Sequence, residues 1–335
     1  MKILVTGAAG FIGHSLCKRL IGLKHEVVGL DNINDYYDVS LKRSRLSDLG
    51  IEKSTLEQGA TNSSTEHKNF RFIKEDIANL DYLEELFFKE KFCTVIHLAA
   101  QAGVRFSIKA PMTYVQSNLV GFANILEVCR QNKIEHLVFA SSSSVYGDES
   151  KIPFKEDQQA DKPISLYAAT KKSNELMAYS YSHLYNMRIT GLRFFTVYGP
   201  WGRPDMAPML FAKAMTNGEE INIFNNGDME RDFTYIDDIV DGVVQSMNYK
   251  NTSKPPYEIF NIGNSRPVNL LKFIKLLEKE FGFSANKKFL AMQPGDVSVT
   301  FADVENIMRK TDYKPKTTLD KGLKKFIEWY KSYYA

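Results

Sequence analysis

Residues 5–13 of the chain read VTGAAGFIG, which places Gly7, Gly10 and Gly13 between an apolar run and a segment of helical spacing. The apolar run belongs to KILVTG at residues 2–7, and this composition is typical of a buried strand. Glycines between a strand and a helix let a pyrophosphate approach the helix N-terminus, where a Cβ would collide with it. The stretch therefore predicts a dinucleotide-binding βαβ unit.

The same alternation of strand and helix continues along the first half of the chain. Further strands are predicted at HEVVGLD (25–31), FRFIKED (70–76), CTVIHLAA (93–100) and HLVFASSSSVYG (136–147), with amphipathic segments between them. This order predicts an α/β fold, a doubly wound parallel Rossmann sheet. Residues 50–68 are polar and aperiodic, and we expect an exposed excursion there.

After about residue 190 the alternation breaks down, because Gly and Pro interrupt short strands and helices. We expect residues 1–190 to form the dinucleotide-binding Rossmann domain, joined by a return segment near 233–263. Residues 191–335 are expected to form a smaller, mixed α/β C-terminal lobe that is discontinuous.

Asp31 ends the second predicted strand, where a carboxylate can accept hydrogen bonds from both hydroxyls of an adenosine ribose. A 2′-phosphate at that position would be repelled, and no arginine follows Asp31 directly. The sequence therefore favours NAD as the cofactor. NADP stays open as an alternative, since Lys42 and Arg43 lie nearby in the chain.

Composition excludes several classes of function. The chain has 335 residues, a formal net charge of +3 and no basic run with interleaved aromatics, so no nucleic-acid partner is expected. No apolar window is long enough to span a membrane, and the N-terminus reads as a strand rather than a signal peptide. Six scattered histidines predict no metal site, and three separated cysteines are typical of free thiols in the cytoplasm.

A tyrosine and a lysine carry the predicted chemistry. Tyr167 and Lys171 are four residues apart and therefore share one face of a predicted helix. A phenol with its usual pKa near 10 is a poor base, and a neighbouring ammonium should stabilise the phenolate. The hydroxyl cluster SSSS at residues 141–144 precedes the pair by 25 residues, counted from Ser142 to Tyr167.

These motifs together resemble the extended short-chain dehydrogenase/reductases. Within them, the sequence is similar to the UDP-glucuronate 4-epimerases through NDYYDVSLK, HLAAQAGVR, ASSSSVYG, YAATK, RFFTVYGPWGRPDMA, RDFTYIDDIV and QPGDV. The resemblance implies inversion at C4 of a UDP-sugar through a 4-keto intermediate, with NAD tightly bound. It also implies that the C-terminal lobe binds the sugar nucleotide.

The resemblance implies roles for individual residues. Ser142, Tyr167 and Lys171 would be catalytic. The implied cofactor-binding residues are Gly7, Gly10, Phe11, Ile12, Gly13, Asp31, Asn32, Asp76, Ile77, Leu98, Ala99, Ala100, Ser117, Tyr167, Lys171 and Phe195. The implied substrate-binding residues are Ser142, Ser143, Ser144, Thr196, Arg203, Arg231 and Gln293. Gln293 stands where the wider sugar-nucleotide epimerase pattern has an arginine.

The segment RFFTVYGPWGRPDMA (193–207) carries the prediction of substrate. A 4-keto uronate is a β-keto acid that can lose carbon dioxide. Because this loss requires the bond to the carboxylate to align with the carbonyl π system, an epimerase must hold the carboxylate out of that alignment. Arg203 offers a planar fork of donors and Thr196 a hydroxyl, on a segment stiffened by prolines. Binding of a UDP phosphate by Arg203 remains the alternative.

The sequence bears on three other functions. An epimerase for UDP-glucose or UDP-N-acetylglucosamine would share every catalytic residue, and a non-catalytic NAD-binding regulator would share the fold. A dehydratase is disfavoured, since it needs carboxyl groups where this chain has Ser143 and Ser144. Family members pair two helices into a four-helix interface, so the resemblance implies a homodimer through residues 112–131 and 166–185.

Overall fold

The computed structural model describes residues 1–52, 56–148, 151–292 and 298–334. Its strands are β1 (Lys2–Thr6), β2 (Glu26–Asp31), β3 (Thr61–Ser63), β4 (Phe70–Lys74), β5 (Thr94–His97), β6 (His136–Ser142), β7 (Ile189–Phe194), β8 (Thr196–Tyr198), β9 (Glu220–Ile223), β10 (Glu230–Tyr235), β11 (Tyr257–Ile262), β12 (Pro267–Asn269), β13 (Asn286–Phe289) and β14 (Val299–Thr300).

Twelve α-helices accompany the strands in the described part of the chain. They are α1 (Phe11–Gly22), α2 (Val39–Asp48), α3 (Leu80–Glu90), α4 (Phe106–Lys109), α5 (Pro111–Tyr114), α6 (Gly121–Gln131), α7 (Leu166–Tyr185), α8 (Ala207–Thr216), α9 (Ile236–Asn248), α10 (Leu270–Phe281), α11 (Glu305–Lys310) and α12 (Leu319–Tyr334). A π-helical stretch (Val115–Val120) joins α5 to α6. Each helix in the described ranges is too short or too polar to cross a lipid bilayer.

The large sheet has eight strands in the order β11-β7-β6-β5-β1-β2-β4-β3. All neighbours pair in parallel except β3, which runs antiparallel to β4 at the edge. This confirms the doubly wound Rossmann sheet. It corrects the expectation for residues 50–68, because part of that polar segment forms the edge strand, where one side of the backbone needs no partner strand.

Alternate side chains of β1 enter two different hydrophobic cores. Ile3 and Val5 pack in the core that includes residues of α1 and α9, whereas Leu4 packs in the core with α3, α6 and α7. Successive side chains of a strand point to opposite faces, so a strand covered on both faces must be apolar throughout. The unbroken apolar run of the sequence is thereby explained.

The smaller lobe is built around β10. This strand pairs with β8, β12 and β14, while β9 pairs with β13 as a separate ribbon. Two segments of the second half belong to the large sheet instead, because β7 continues past residue 190 to Phe194 and β11 pairs with it over Tyr257–Ile262. The chain thus crosses between the two parts.

Candidate active site

A cavity lies along the carboxyl edge of the large sheet. Gly7 follows β1, Asp31 ends β2, Leu98 follows β5 and Ser142 ends β6, and all four line this cavity. The cavity is centred where β1 lies between β2 and β5, the point at which the strand order reverses. In open α/β sheets, ligands bind at this switch point.

The cavity collects nearly all the residues expected from the sequence. Those that line it are Gly7, Gly10, Phe11, Ile12, Gly13, Asp31, Asn32, Asp76, Ile77, Leu98, Ala99, Ala100, Ser117, Ser142, Ser143, Ser144, Tyr167, Lys171, Phe195, Thr196 and Arg203.

The glycine loop is packed so tightly that side chains are excluded. A Cβ at Gly13 would lie 2.0 Å from the Gly7 carbonyl oxygen, and one at Gly7 would lie 2.7 Å from the Ala99 nitrogen. Gly7 also has a φ of +75°, which favours glycine. These contacts set the first turn of α1 directly against the ends of β1 and β5, which leaves the helix N-terminus open toward the cavity.

The Asp31 carboxylate holds the loops around it. It accepts hydrogen bonds from the backbone nitrogens of Ala9, at 3.1 Å, and Ile33, at 2.8 Å. Next to it, Asn32 Nδ2 donates to Asp76 Oδ2 at 2.8 Å, which connects the ends of β2 and β4. Lys42 donates to the carbonyl and side-chain oxygens of Asn34, at 2.8 and 2.7 Å.

This end of the cavity fits a dinucleotide. Backbone nitrogens at the start of α1 suit a pyrophosphate, and the carboxylate of Asp31 lies where an adenosine ribose is bound in Rossmann folds. Lys42 is occupied by Asn34 and Arg43 is exposed, so neither is arranged as a 2′-phosphate site.

Ser142, Tyr167 and Lys171 meet at the other end of the cavity. Ser142 lies at the last residue of β6, where its Oγ accepts a hydrogen bond from the Ser144 nitrogen at 3.2 Å. Lys171 is buried, and its Nζ donates to the Ala140 carbonyl oxygen at 2.9 Å. Tyr167 packs edge-on against Tyr114, with 6.1 Å between ring centroids.

The pKa of Tyr167 is raised, chiefly by burial, while a hydrogen bond from Ser142 and the charge of Arg203 lower it. The Lys171 ammonium donates one hydrogen bond to the Ala140 carbonyl, and its predicted effect on the Tyr167 phenol stays a prediction. Burial lowers the pKa of Lys171 to about 8. The charge of Arg203 favours the Tyr167 phenolate, and the charge of Asp205 opposes it.

The helix that carries Tyr167 and Lys171 is fixed at several points. Ser165 caps α7 by accepting a hydrogen bond from the Ala168 nitrogen at 3.1 Å. Asn118, in the π-helical stretch, donates to Thr170 Oγ1 at 3.0 Å, and its carbonyl accepts from Asn174 at 2.6 Å. Such π-helical turns are frequent at functional sites, and this one also carries Ser117 to the cavity.

A buried ion pair joins α7 to the sheet. Arg193 on β7 makes two 2.8 Å bonds to the Glu175 carboxylate, which also accepts from Ser141 at 2.6 Å. Fully paired buried charges of this kind fix relative positions more than they add stability. Of the two arginines in segment 193–207, Arg193 is thus structural and only Arg203 lines the cavity.

Thr196 and Arg203 both line the cavity. Thr196 begins β8, in register with Phe233 of β10, and is partly exposed. Arg203 bonds the Asp205 carboxylate through Nε at 3.0 Å and Nη2 at 2.5 Å. Asp205 and its partner Tyr36 were not identified from the sequence, although NDYYD and GRPDMA contain them.

One sequence-predicted residue within the described ranges, Arg231, is not in the cavity wall. Arg231 lies on β10, where its Nη1 donates to the carbonyl oxygens of Glu230 and Ser298, each at 2.9 Å. Gln293 lies outside the described residues. The cavity wall also includes polar side chains that the sequence did not single out, namely Asn34, Tyr36, Tyr37, Glu75 and Gln101.

A Rossmann sheet with a glycine loop and a Ser-Tyr-Lys set in one cavity defines a nucleotide-dependent enzyme of the short-chain dehydrogenase/reductase type. Residues 3–263 match the family model of the NAD dependent epimerase/dehydratase family, and the chain belongs to this family. NAD is accordingly its cofactor.

The similar proteins are more specific. Protein CapI of Staphylococcus aureus is 49% identical over 100% of this chain and 99% of its own. A probable UDP-glucuronate 4-epimerase of Rhizobium meliloti is 44% identical over 100% of this chain and 98% of its own. The solved UDP-glucuronic acid 4-epimerase of Bacillus cereus, in complex with UDP-glucuronic acid and NAD, is 37% identical with a TM-score of 0.88, over 100% of both chains.

Proposed function

We propose that this protein is a UDP-glucuronate 4-epimerase, which interconverts UDP-glucuronate and UDP-galacturonate by inverting C4. One observation carries the proposal: Ser142, Tyr167 and Lys171 share a cavity with the glycine loop, Thr196 and Arg203. The Rhizobium and Bacillus cereus proteins are similar to this chain over its full length, and this similarity supports the uronate as the substrate.

Tyr167 is the proposed acid/base. Its phenolate would take the proton of the C4 hydroxyl and later return it, with Ser142 bonding the same hydroxyl. NAD, when bound, supplies a hydride acceptor at its nicotinamide ring. Lys171 would orient the nicotinamide ribose, since its ammonium is held on β6 through Ala140. Phe195 would lie beside the nicotinamide.

The sugar has to turn between the two proton transfers. After oxidation, the 4-keto sugar would turn about the diphosphate linkage and present its opposite face to Tyr167. Arg203 and Thr196 would then hold the carboxylate of this β-keto acid, which must not align its C5–C6 bond with the carbonyl π system. A hydrogen bond to a charged group is worth roughly 1.5–3 kcal/mol, enough to fix one orientation.

A substrate panel tests the proposal directly. The purified protein is given UDP-glucuronate, UDP-glucose or UDP-N-acetylglucosamine in separate reactions, and the epimer is quantified by chromatography. We expect turnover of the uronate to exceed that of both neutral sugars. Preference for a neutral sugar would favour the rival epimerase, and no turnover at all would favour a regulator that only binds NAD.

The remaining assignments complete the proposal. The C-terminal lobe, residues 191–335, would bind the UDP-sugar, with Arg231 on a phosphate and Gln293 on a ribose or phosphate. Free thiols at Cys17, Cys93 and Cys129 fit a reducing compartment, so the cytoplasm is the proposed location.

A homodimer is also proposed. Several large apolar side chains on the helices around the π-helical stretch and on α7 are exposed, among them Met112 at 70% and Leu176 at 60%. Helices α5 and α7 contact each other, so these residues can form one apolar surface. Pairing two copies would bury it.

A further inference from the structure

Part of the Arg203 guanidinium is already hydrogen-bonded to a carboxylate of the protein. Its Nε and Nη2 donate to the two carboxylate oxygens of Asp205, at 3.0 and 2.5 Å, which leaves Nη1 as the remaining end of the guanidinium. Among the described residues, none accepts a hydrogen bond from Nη1. Asp205 itself does not line the cavity, although Arg203 and Met206 on either side do. The Asp205 carboxylate therefore lies outside the cavity wall and holds the Arg203 side chain from there.

Asp205 is in turn held from a distant part of the chain. The Tyr36 hydroxyl donates to Asp205 Oδ2 at 2.9 Å, across 169 residues of sequence. The Tyr36 ring packs against Phe106, with 4.8 Å between centroids. A Cβ at Gly103 would lie 2.4 Å from the Tyr36 hydroxyl oxygen, and Gly103 has a φ of +102°, so this arrangement requires glycine there.

The charges of this group reach the reacting end of the cavity. The positive charge of Arg203 lowers the pKa of Tyr167, and the negative charge of Asp205 raises it. The pair thus presents the cavity with a guanidinium that is largely neutralised and fixed in orientation. An unpaired arginine would instead be a mobile cation on a flexible stem, and a carboxylate bound to it would move with it.

We propose that Asp205 and Tyr36 are positioning residues that hold Arg203 in one orientation toward the sugar carboxylate, and thereby determine whether the 4-keto uronate keeps that carboxylate. The inference rests on the proposed function. It adds a specificity device beside the binding residues: the arginine can hold a carboxylate still only because a second carboxylate, with a phenol bonded to it, holds the arginine.

The competing reaction follows from the chemistry of a β-keto acid. When the C5–C6 bond aligns with the C4 carbonyl, that bond breaks and its electron pair moves into the carbonyl to form an enolate. Carbon dioxide leaves, and a solvent proton is added at C5, giving a 4-keto pentose. Epimerisation and decarboxylation share the oxidation that forms the ketone. The two reactions therefore diverge at the 4-keto intermediate.

The test measures carbon dioxide released per epimerisation. The parent, Asp205→Asn and Tyr36→Phe are incubated with UDP-glucuronate that carries isotopic carbon in its carboxylate, and released carbon dioxide and both sugar products are quantified. Asp205→Asn should raise the ratio of carbon dioxide to epimer about tenfold or more, the factor expected from loss of one charge-assisted hydrogen bond. Tyr36→Phe should raise it less, since Arg203 keeps its carboxylate partner.

A matched control separates positioning from general destabilisation. Glu90 and Arg71 form a two-bond carboxylate–guanidinium pair, at 2.9 Å for each bond, and neither residue lines the cavity. Glu90→Gln should lower the melting temperature without changing the product ratio.

Two results would overturn the inference: a parental product ratio in folded Asp205→Asn, or, where that variant does not fold, a parental ratio in Tyr36→Phe. The proposed function fails separately, if the parent itself does not epimerise UDP-glucuronate.

Discussion

The Lys171 ammonium and the Ala140 carbonyl oxygen are joined by a 2.9 Å hydrogen bond. This bond ties the middle of α7 to β6, two residues before the strand ends at Ser142. The bond is one of several contacts that fix this helix against the sheet strands, beside the Arg193–Glu175 ion pair. The charge of Arg203 lowers the pKa of Tyr167, and the charge of Asp205 raises it.

The buried lysine predicts a dependence of stability on pH. The pKa of Lys171 falls from 10.5 to about 8 on folding, through burial. Between these values the unfolded chain retains a proton that the folded chain has lost, so this group makes the protein more stable as the pH rises. Lys171→Met should remove that rise in urea unfolding free energy across the window.

Lys324, exposed on α12, supplies the control for this measurement. Lys324→Met should keep the parental pH dependence. An unchanged slope in Lys171→Met would show that the folded protein holds this proton as firmly as the unfolded chain does.

Substitution of the proposed acid/base should remove activity and spare the fold. Tyr167→Phe deletes one hydroxyl on the cavity wall and keeps the ring, so the melting temperature should stay close to that of the parent. General acid–base catalysis contributes about 10²–10⁴-fold, and turnover of UDP-glucuronate should fall by at least the lower figure. Epimerisation at the parental rate would exclude Tyr167 as the base.

Loss of the guanidinium should affect the uronate selectively. Arg203→Ala should reduce kcat/KM for UDP-glucuronate by roughly 10- to 100-fold, the effect of one lost hydrogen bond to a charged group. NAD retention, measured from the absorbance of the purified protein, should be unchanged, because the cofactor end of the cavity is built by other residues. If the variant handled UDP-glucuronate as well as the parent, the carboxylate would be bound elsewhere.

Two glycines on one helix provide a matched pair. A Cβ at Gly13 would lie 2.0 Å from the Gly7 carbonyl oxygen, whereas one at Gly22 meets nothing within 4 Å. Gly13→Ala should therefore displace the glycine loop and reduce the fraction of protein purified with NAD. Gly22→Ala, at the end of the same helix, should leave that fraction as it is. Equal retention by both variants would contradict the loop's role.

The proposed dimer can be broken at its apolar surface. Leu176 on α7 is 60% exposed, and Leu176→Glu would place a charge in the interface between copies. Light scattering should then report a monomer where the parent is a dimer. Leu210→Glu, on α8 and 46% exposed, should not change the mass. A monomeric parent would end the proposal.

The fold was predictable wherever short-range pattern decides structure. The apolar run of β1, the glycine loop and the alternation of strand and helix all follow from local rules of burial and backbone geometry, and these predicted the parallel sheet. Residues 50–68 were less predictable, since β3 forms by pairing with β4 rather than through an apolar pattern of its own.

The sequence predicted most of the residues that line the cavity, but it did not predict their hydrogen-bond partners. Tyr167 and Lys171 were correctly placed on one helix, yet the acceptor for Lys171 is a backbone carbonyl, which no side-chain motif announces. Likewise, the contact between Tyr36 and Asp205 joins residues 169 positions apart. Such pairings depend on how loops from both parts of the chain meet over the cavity.

We propose that one cavity with resident NAD inverts C4 without net oxidation. The most direct measurement is proton NMR of UDP-glucuronate incubated with purified protein and no added cofactor. We expect signals of UDP-galacturonate to appear and grow until the two sugars reach a constant ratio. A spectrum that stays that of UDP-glucuronate, with NAD shown to be bound, would contradict it.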